Sequence, residues 1–449
     1  MRLPMKMLLS ISTILVAFGV RGLGQAVPTA TATSTPTPAG AAAPRISWLD
    51  GTVHYALSAT ELVQVGYYGA GNVTSTTALS GNVGYASLSQ THPFTLLFAG
   101  GVLFGQSGQG VTAYQNLAVS QGYIHGKWIM EVADSFSFLP QSPTTGDTGI
   151  AGVGQLGTTG STQPSSGAAG GVLTYSANRI ANTLSGDIER RLTGKTSISG
   201  GSSWTVLHFL DQNSGLDTHS ITGQVALNHR INVRNSVSVA GVYSTYDTSG
   251  LYSNLSGYAY NNVNYITRGV NLTYMRQWTR SLSMDLSAGP QWISSSAADI
   301  VPHRLNVYVN AGLGYTRQLN SFGLRYSHGV NSGSGAFAGA EADNASVTVS
   351  HHFSREWAGS AWFNYTHTRG LLVTVPNAGT AANGAVDTEY GTVQLMHSFT
   401  RTISGYLSYS AQNQDGNSAL ASQNTFNGLS HTVAFGVSWA PQSTRLGDF

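Results

Sequence analysis

Leu282-Ser283-Met284-Asp285-Leu286-Ser287-Ala288-Gly289 reads as two interleaved sets of residues. Leu282, Met284, Leu286 and Ala288 are apolar, whereas Ser283, Asp285, Ser287 and Gly289 are small or polar, so an extended strand puts one set on each face of a sheet. The same split recurs in Leu305, Val307, Val309, Ala311, Leu313 and Tyr315 against Asn306, Tyr308, Asn310, Gly312, Gly314 and Thr316. It recurs again in Ile221, Val225 and Leu227 against Ser220, Thr222, Gln224 and Asn228. These runs extend over roughly 11 to 17 residues, where a globular strand takes ~5–6. A tilted bilayer crossing by a strand takes ~9–11 residues plus overhang, and the runs fit that length.

Composition agrees with a wall that is apolar on one side and uncharged but polar on the other. Of 449 residues only 21 are Lys or Arg and 19 Asp or Glu, 9% charged in all against ~25% in a soluble domain. Polarity comes instead from Ser, Thr, Asn, Gln and 54 Gly. A net charge of +2 lacks the basic clustering of a nucleic-acid binder, and the 44 aromatic residues (8 Trp, 21 Tyr, 15 Phe) exceed what a charged disordered chain carries. With no cysteine there is no disulfide and no thiolate chemistry, as suits a chain that crosses an oxidising compartment.

Four segments are expected. Residues 1–26 have the layout of a cleaved signal peptide: Arg2 and Lys6, an apolar run from Leu8 to Val20, and a small-x-small site at Gly24-Gln25-Ala26. Residues 27–50 are a periplasmic linker dominated by Thr, Pro and Ala, with too little apolar area to offset the entropy of ordering it. Residues 51–441 form the alternating body, and 442–449 a C-terminal tail. Past the signal no stretch is long and apolar enough for a transmembrane helix, so an anchor in the membrane has to be β.

Tight polar turns punctuate the body near Gly194, Arg234, Arg280, Asn320, Arg355 and Arg401, at intervals of 35 to 46 residues. Similar strings surround several of them: Leu192-Thr-Gly-Lys195, Trp278-Thr-Arg280-Ser-Leu282, Phe353-Ser-Arg355-Glu-Trp357 and Phe399-Thr-Arg401-Thr-Ile403. Between them lie longer Gly, Asn, Ser and Asp-rich connections such as Thr248 to Asn261, Ser332 to Asp343 and Leu371 to Val386. A β-propeller repeats at a similar interval but packs four short strands into it, where this chain has two long ones. In its short turns on one rim, long loops on the other and apolar-out, polar-in strands, the chain resembles the bacterial outer-membrane β-barrel family, porin-like, with no subfamily motif.

The resulting expectation is an all-β, transmembrane, antiparallel up-and-down barrel of about 18 strands, with 16 as the alternative. An even number returns both chain ends to the short-turn, periplasmic rim. The first five strands are the least regular, because Val53 to Gly69 is long for one strand and Leu96 to Phe104 is apolar on both faces. Trp128, Trp278, Trp357 and Trp439 fall beside short turns or the last strand's end and are expected to form a membrane-interface girdle. Lys127, Lys195, Arg234, Arg280, Arg355 and Arg401 share that rim, within reach of lipid phosphates.

Alternation places a sparse set of charges inward: Glu131, Asp187, Glu189, Arg191, Arg230, Asp285 and Arg325 are the expected pore-lining residues. Four acids against three bases imply little charge selectivity; their bland reading is as cross-strand ion pairs bracing the wall. The Pro140 to Tyr175 connection either folds into the pore or lies over the surface. No Gly-x-Ser-x-Gly elbow occurs, and the adjacent His351 and His352 point to opposite faces of a strand, so neither an enzyme nor a metal site is expected. No cofactor is implied. The functional expectation is an outer-membrane pore for passive, weakly selective diffusion of small hydrophilic solutes, with outer-membrane lipids and the envelope assembly machinery as partners. The alternative is a closed structural, adhesin or secretion-type barrel whose loops bind partners. A terminal aromatic serves as an assembly signal in the family, which the resemblance assigns to Trp439 or Phe449.

Overall fold

The structure, a computed structural model, describes residues 51–66, 72–106, 110–141, 177–210, 216–249, 262–296, 301–333, 337–371, 384–416 and 426–446. The expected signal peptide, the whole of the linker, the body of the Pro140 to Tyr175 connection and the last three residues lie outside them.

Eighteen long strands form one antiparallel sheet. In chain order they are β1 (Gly51–Val65), β2 (Val73–Ser87), β3 (Phe94–Gln106), β4 (Gly110–His125), β5 (Trp128–Gln141) and β6 (Ala177–Arg191). Next come β7 (Thr196–Phe209), β8 (Asp217–Arg230), β9 (Asn235–Ser249), β10 (Asn262–Gln277), β11 (Leu282–Ser295) and β12 (Arg304–Arg317). The last six are β13 (Asn320–Asn331), β14 (Ala340–His352), β15 (Trp357–Gly370), β16 (Ala385–Ser398), β17 (Ile403–Gly416) and β18 (Gly428–Trp439). Each pairs with its sequence neighbours, and β1 pairs with β18 from Leu57↔Trp439 to Val65↔His431, which closes the sheet into a barrel. Closure matters in a bilayer, because an open edge there leaves backbone groups unpaired at several kcal/mol each.

A short β19 (Thr444–Leu446) continues the ladder. It pairs with Gly51–Val53 of β1 after the interruption at Pro441, where the register with β1 shifts by one residue. Proline tolerates such a bulge, since it has no N–H to give to a ladder.

The short turns explain the repeated strings. Thr193, Thr279, Ser354 and Thr400 each accept, through the side-chain hydroxyl, the backbone N–H groups two and three residues on. Asn232 does the same through its carbonyl Oδ1 for Arg234 and Asn235. The polar residue after each apolar one is therefore the acceptor that shapes the turn.

The first strands keep the alternation once both faces are assigned, with one register shift in β3 against β4 between Leu103 and Gln106. In β3, Leu96, Phe98, Val102 and Phe104 share the outward face with Leu79 and Val83 of β2. Leu103 points the other way and packs with Leu62, Ala78, Tyr114, Tyr406 and Ala434 in a cluster on the inner wall. Two apolar faces thus mean lipid on one side and an apolar lumen patch on the other.

Candidate functional site

Eighteen strands spaced ~4.8 Å apart and tilted by ~40° enclose a backbone cylinder ~36 Å across, wider than its own side chains fill. Function therefore depends on what lines and narrows the lumen. Between strands the inward face carries hydroxyl and amide rungs: Thr95 with Ser120 (2.6 Å), Thr222 with Ser244 (3.0 Å), Thr273 with Ser287 (2.9 Å) and Ser321 with Ser350 (2.6 Å). Each rung satisfies part of the wall's polarity internally and leaves lone pairs for water or solute.

Strand register places all seven charged residues expected in the pore on the lumen face, and their settings differ. Glu131 on β5 stands directly opposite Asp187 on β6, which is buried. Glu189, two residues nearer the short-turn rim, lines a recess of about 230 Å³ together with Ser197, Asn228, Ser236, Thr273 and Met275. Arg191 ends β6 and is exposed. Arg230 is occupied locally, its Nη2 donating to the Gly194 carbonyl oxygen at 2.8 Å, so it braces a turn. Asp285, Gly312 and Arg325 form one cross-strand row on β11, β12 and β13. A Cβ on Gly312 would collide with the Asp285 carboxylate, so the glycine is what gives that carboxylate its place in the row.

Two further bases face inward near the loop rim. Arg304 ion-pairs with Glu341 at 2.6 Å, and Arg179, opposite Phe209, is 6% exposed with its Nη1 lacking a hydrogen-bond partner. Arg304 was readable, since it stands in phase with Asn306 and Tyr308. Arg179 sits at the start of its strand, where phase is hardest to assign.

The loop-side half of the lumen is narrowed by Phe337 to Gly339, the described residues just before β14. Between β13 and β14, Phe337 packs with Ala340 and Val386, the last an inward residue of β16. Ala338 joins Val263, Tyr265, Ile293 and Val330 in a second cluster, in which Tyr265 and Ile293 face inward from β10 and β11. The segment therefore touches inward residues of β10, β11 and β16. Gly333 and Gly339 turn it with φ of 83° and 88°, and at Gly339 a side chain would strike the Tyr265 ring. Tyr265 stacks on Tyr246 (centroids 4.7 Å, 11° between planes). In the same loop-side half the inward Thr366, Thr368, Thr388, Gln414 and Ser430 are buried, while the short-turn half keeps Glu131, Glu189 and Asp285 part-exposed and Arg325 exposed.

The four tryptophans point outward at the short-turn rim and each meets a neighbour. The Arg190 guanidinium lies 5.0 Å from the Trp128 ring and that of Arg276 4.1 Å from Trp278. The Trp357 ring packs on His397 at 4.3 Å, and Trp439 meets Tyr55 edge-on at 5.8 Å. Such stacking holds each base at the depth of an amphipathic ring.

No protein-family model and no curated protein matches the chain. Among solved structures it is similar to the outer membrane protein OpdK of Pseudomonas aeruginosa, at 10% identity and a TM-score of 0.43, over 88% of this chain and 99% of that one. OccK2 (OpdF) of the same organism, in complex with glucuronate, aligns at 11% identity and 0.42, over 88% and 98%. OprD aligns at 10% and 0.40, over 88% and 96%.

Proposed function

We propose that the chain is an outer-membrane pore that passes small hydrophilic solutes by passive, weakly selective diffusion. The observation that carries this reading is the closed eighteen-strand wall itself, apolar outward and hydroxyl- and amide-lined inward, around a lumen too wide for its own side chains to fill. Export through the N-terminal signal, insertion by the envelope assembly machinery and a seat among outer-membrane lipids follow from that reading. Entry is governed from the loop side, where Phe337 to Gly339 and the stacked Tyr246 and Tyr265 narrow the path. Solutes then meet the mixed charges of the short-turn half: Glu131, Asp187, Glu189 and Asp285 against Arg191 and Arg325, with Arg230 engaged by a turn. Acids and bases of similar number, spread around the wall, favour neither sign strongly.

Conductance tests it. The refolded mature chain, checked as a compact barrel by its mobility before boiling, is expected to give steady openings in a planar lipid bilayer with a small reversal potential under a salt gradient. A folded barrel that never conducts would refute the pore and leave the loops as the working surface.

A further inference from the structure

We infer that the recess beside Glu189, in the short-turn half of the lumen, holds the ammonium group of a small polyhydroxylated solute, an amino sugar or an amino alcohol. The inference rests on the pore reading and deepens it, since it names the kind of solute that the wall retains.

Strand register builds the recess from two inward rows. Ser197 of β7, Asn228 of β8, Ser238 of β9 and Thr273 of β10 stand directly opposite one another from strand to strand. One step nearer the short turns, Ser236 of β9 lies opposite Met275 of β10. Ser197 is opposite Arg191, and Glu189, the next inward residue along β6, closes that end of the first row. Together these side chains surround about 230 Å³. That is below the ~300–1,000 Å³ of a site for a drug-sized molecule, so the recess takes one small ring or chain. It opens to the lumen, because the inward Met275 is 48% exposed and Glu189, Ser197, Asn228 and Ser236 are part-exposed.

What the recess offers is acceptors. The Asn228 amide gives a proton to Ser199 Oγ at 3.1 Å, and the Thr273 hydroxyl gives its only proton to Ser287 Oγ at 2.9 Å. Asn228 Oδ1 and the lone pairs of Thr273 Oγ1 therefore join the Glu189 carboxylate as acceptors, while the serine hydroxyls can act either way. Glu189 makes no ion pair among the described residues.

The charges around the recess point the same way. Asp187, the next inward residue beyond Glu189, and Asp285, opposite Met275, add negative charge at its two ends. Against them stand Arg191, exposed at the end of β6, and Arg230, whose Nη2 is engaged by the Gly194 carbonyl oxygen. A carboxylate set among neutral acceptors is the complement of an ammonium group, which has three protons to give and no lone pair, and such charge-assisted bonds are the strong ones. The hydroxyls of the solute meet serine, and its C–H face meets Met275, an adaptable apolar side chain.

Glucosamine and glucose test this, since they share size and hydroxyls and differ at one substituent. In a planar bilayer at about pH 6, where a primary amine is protonated, glucosamine is expected to interrupt the current through the refolded mature chain at a concentration about 5- to 10-fold below that needed for glucose. Glu189→Gln keeps the shape and removes the charge, and is expected to raise the half-blocking concentration of glucosamine to the level of glucose. Ser238→Val, which fills the recess and alters no charge, is expected to weaken the block as well. The inference is overturned if glucosamine and glucose act alike on the wild-type pore. It is also overturned if Ser238→Val is blocked as the wild type is, which would assign the effect to the general field of the lumen. A folded barrel that carries no salt current before any sugar is added overturns the pore reading and this one with it, whereas a conducting pore indifferent to glucosamine overturns this one alone.

Discussion

The Tyr265 hydroxyl donates to the Asn331 carbonyl oxygen at 2.6 Å, joining β10 to the end of β13 at the root of the segment that enters the barrel. The strands are not neighbours, so the bond crosses the inner wall rather than following it. It forms beneath the stack of Tyr246 on Tyr265, in a buried setting where an unpaired polar group is costly. Tyr265→Phe keeps the ring packing and removes the donor. A buried hydrogen bond contributes ~0.5–1.5 kcal/mol net, so the balance between the docked and released segment should shift by about 2- to 10-fold toward release. Single-channel recording should show longer or larger openings, and an unchanged conductance trace would mean that the bond does not hold the constriction.

The row Asp285, Gly312, Arg325 predicts a selectivity change of definite sign. Asp285→Asn removes an acid from the short-turn half of the lumen and leaves Arg325, so permeability should move toward anions; Arg325→Gln should move it toward cations. Gly312→Ala should act in the same direction as Asp285→Asn but more weakly, because the added methyl displaces the carboxylate without removing its charge. Reversal potentials under a salt gradient measure all three, and shifts of one sign for both charge deletions would contradict the row as a pore element.

Each short turn rests on one side-chain acceptor. Thr279→Val removes the oxygen that accepts from the N–H groups of Ser281 and Leu282 while keeping the β-branched shape. The turn is exposed, so water replaces part of what is lost, and a destabilisation of about 1 kcal/mol is expected. The midpoint of urea unfolding in detergent or lipid reports it. Thr279→Ser, which keeps the hydroxyl, should restore the wild-type value.

The barrel was legible because lipid imposes one rule on every strand. Leu282, Met284 and Leu286 face hydrocarbon and Ser283, Asp285 and Ser287 do not, and the rule needs no knowledge of neighbouring strands. It blurred in β3, where Leu103 packs into an apolar lumen patch, and in β1 and β5, where Glu61 and Asp134 put charge on the lipid side. The constriction was not legible in the same way. The Pro140 to Tyr175 connection, read as either entering the pore or lying over the surface, falls almost wholly outside the described residues, whereas the inward stretch found is Phe337 to Gly339. Its signal was slight, an Ala-Phe-Ala run at Ala336 to Ala338 within glycine and serine, and its direction is fixed by Tyr265 and Val386, far away in sequence.

The end of the chain gives the last prediction. Leu57 to Val65 of β1 are paired to β18, but the other end of β1, Gly51 to Val53, is paired on that side to Thr444–Leu446. Deleting Ser443 to Phe449 removes β19 and leaves the backbone groups of Gly51 to Val53 open along the seam where the barrel closes. At that rim water reaches the freed groups, so the loss per group is modest, but the seam is the last contact to form in any closed barrel and its fraying acts on assembly. The deletion should lower the fraction of chain that migrates as a heat-modifiable barrel, and Phe449→Ala alone should not if pairing by β19 is the cause. Equal losses for both variants would point instead to recognition of the terminal aromatic, and no loss for either would show that β18 alone closes the wall.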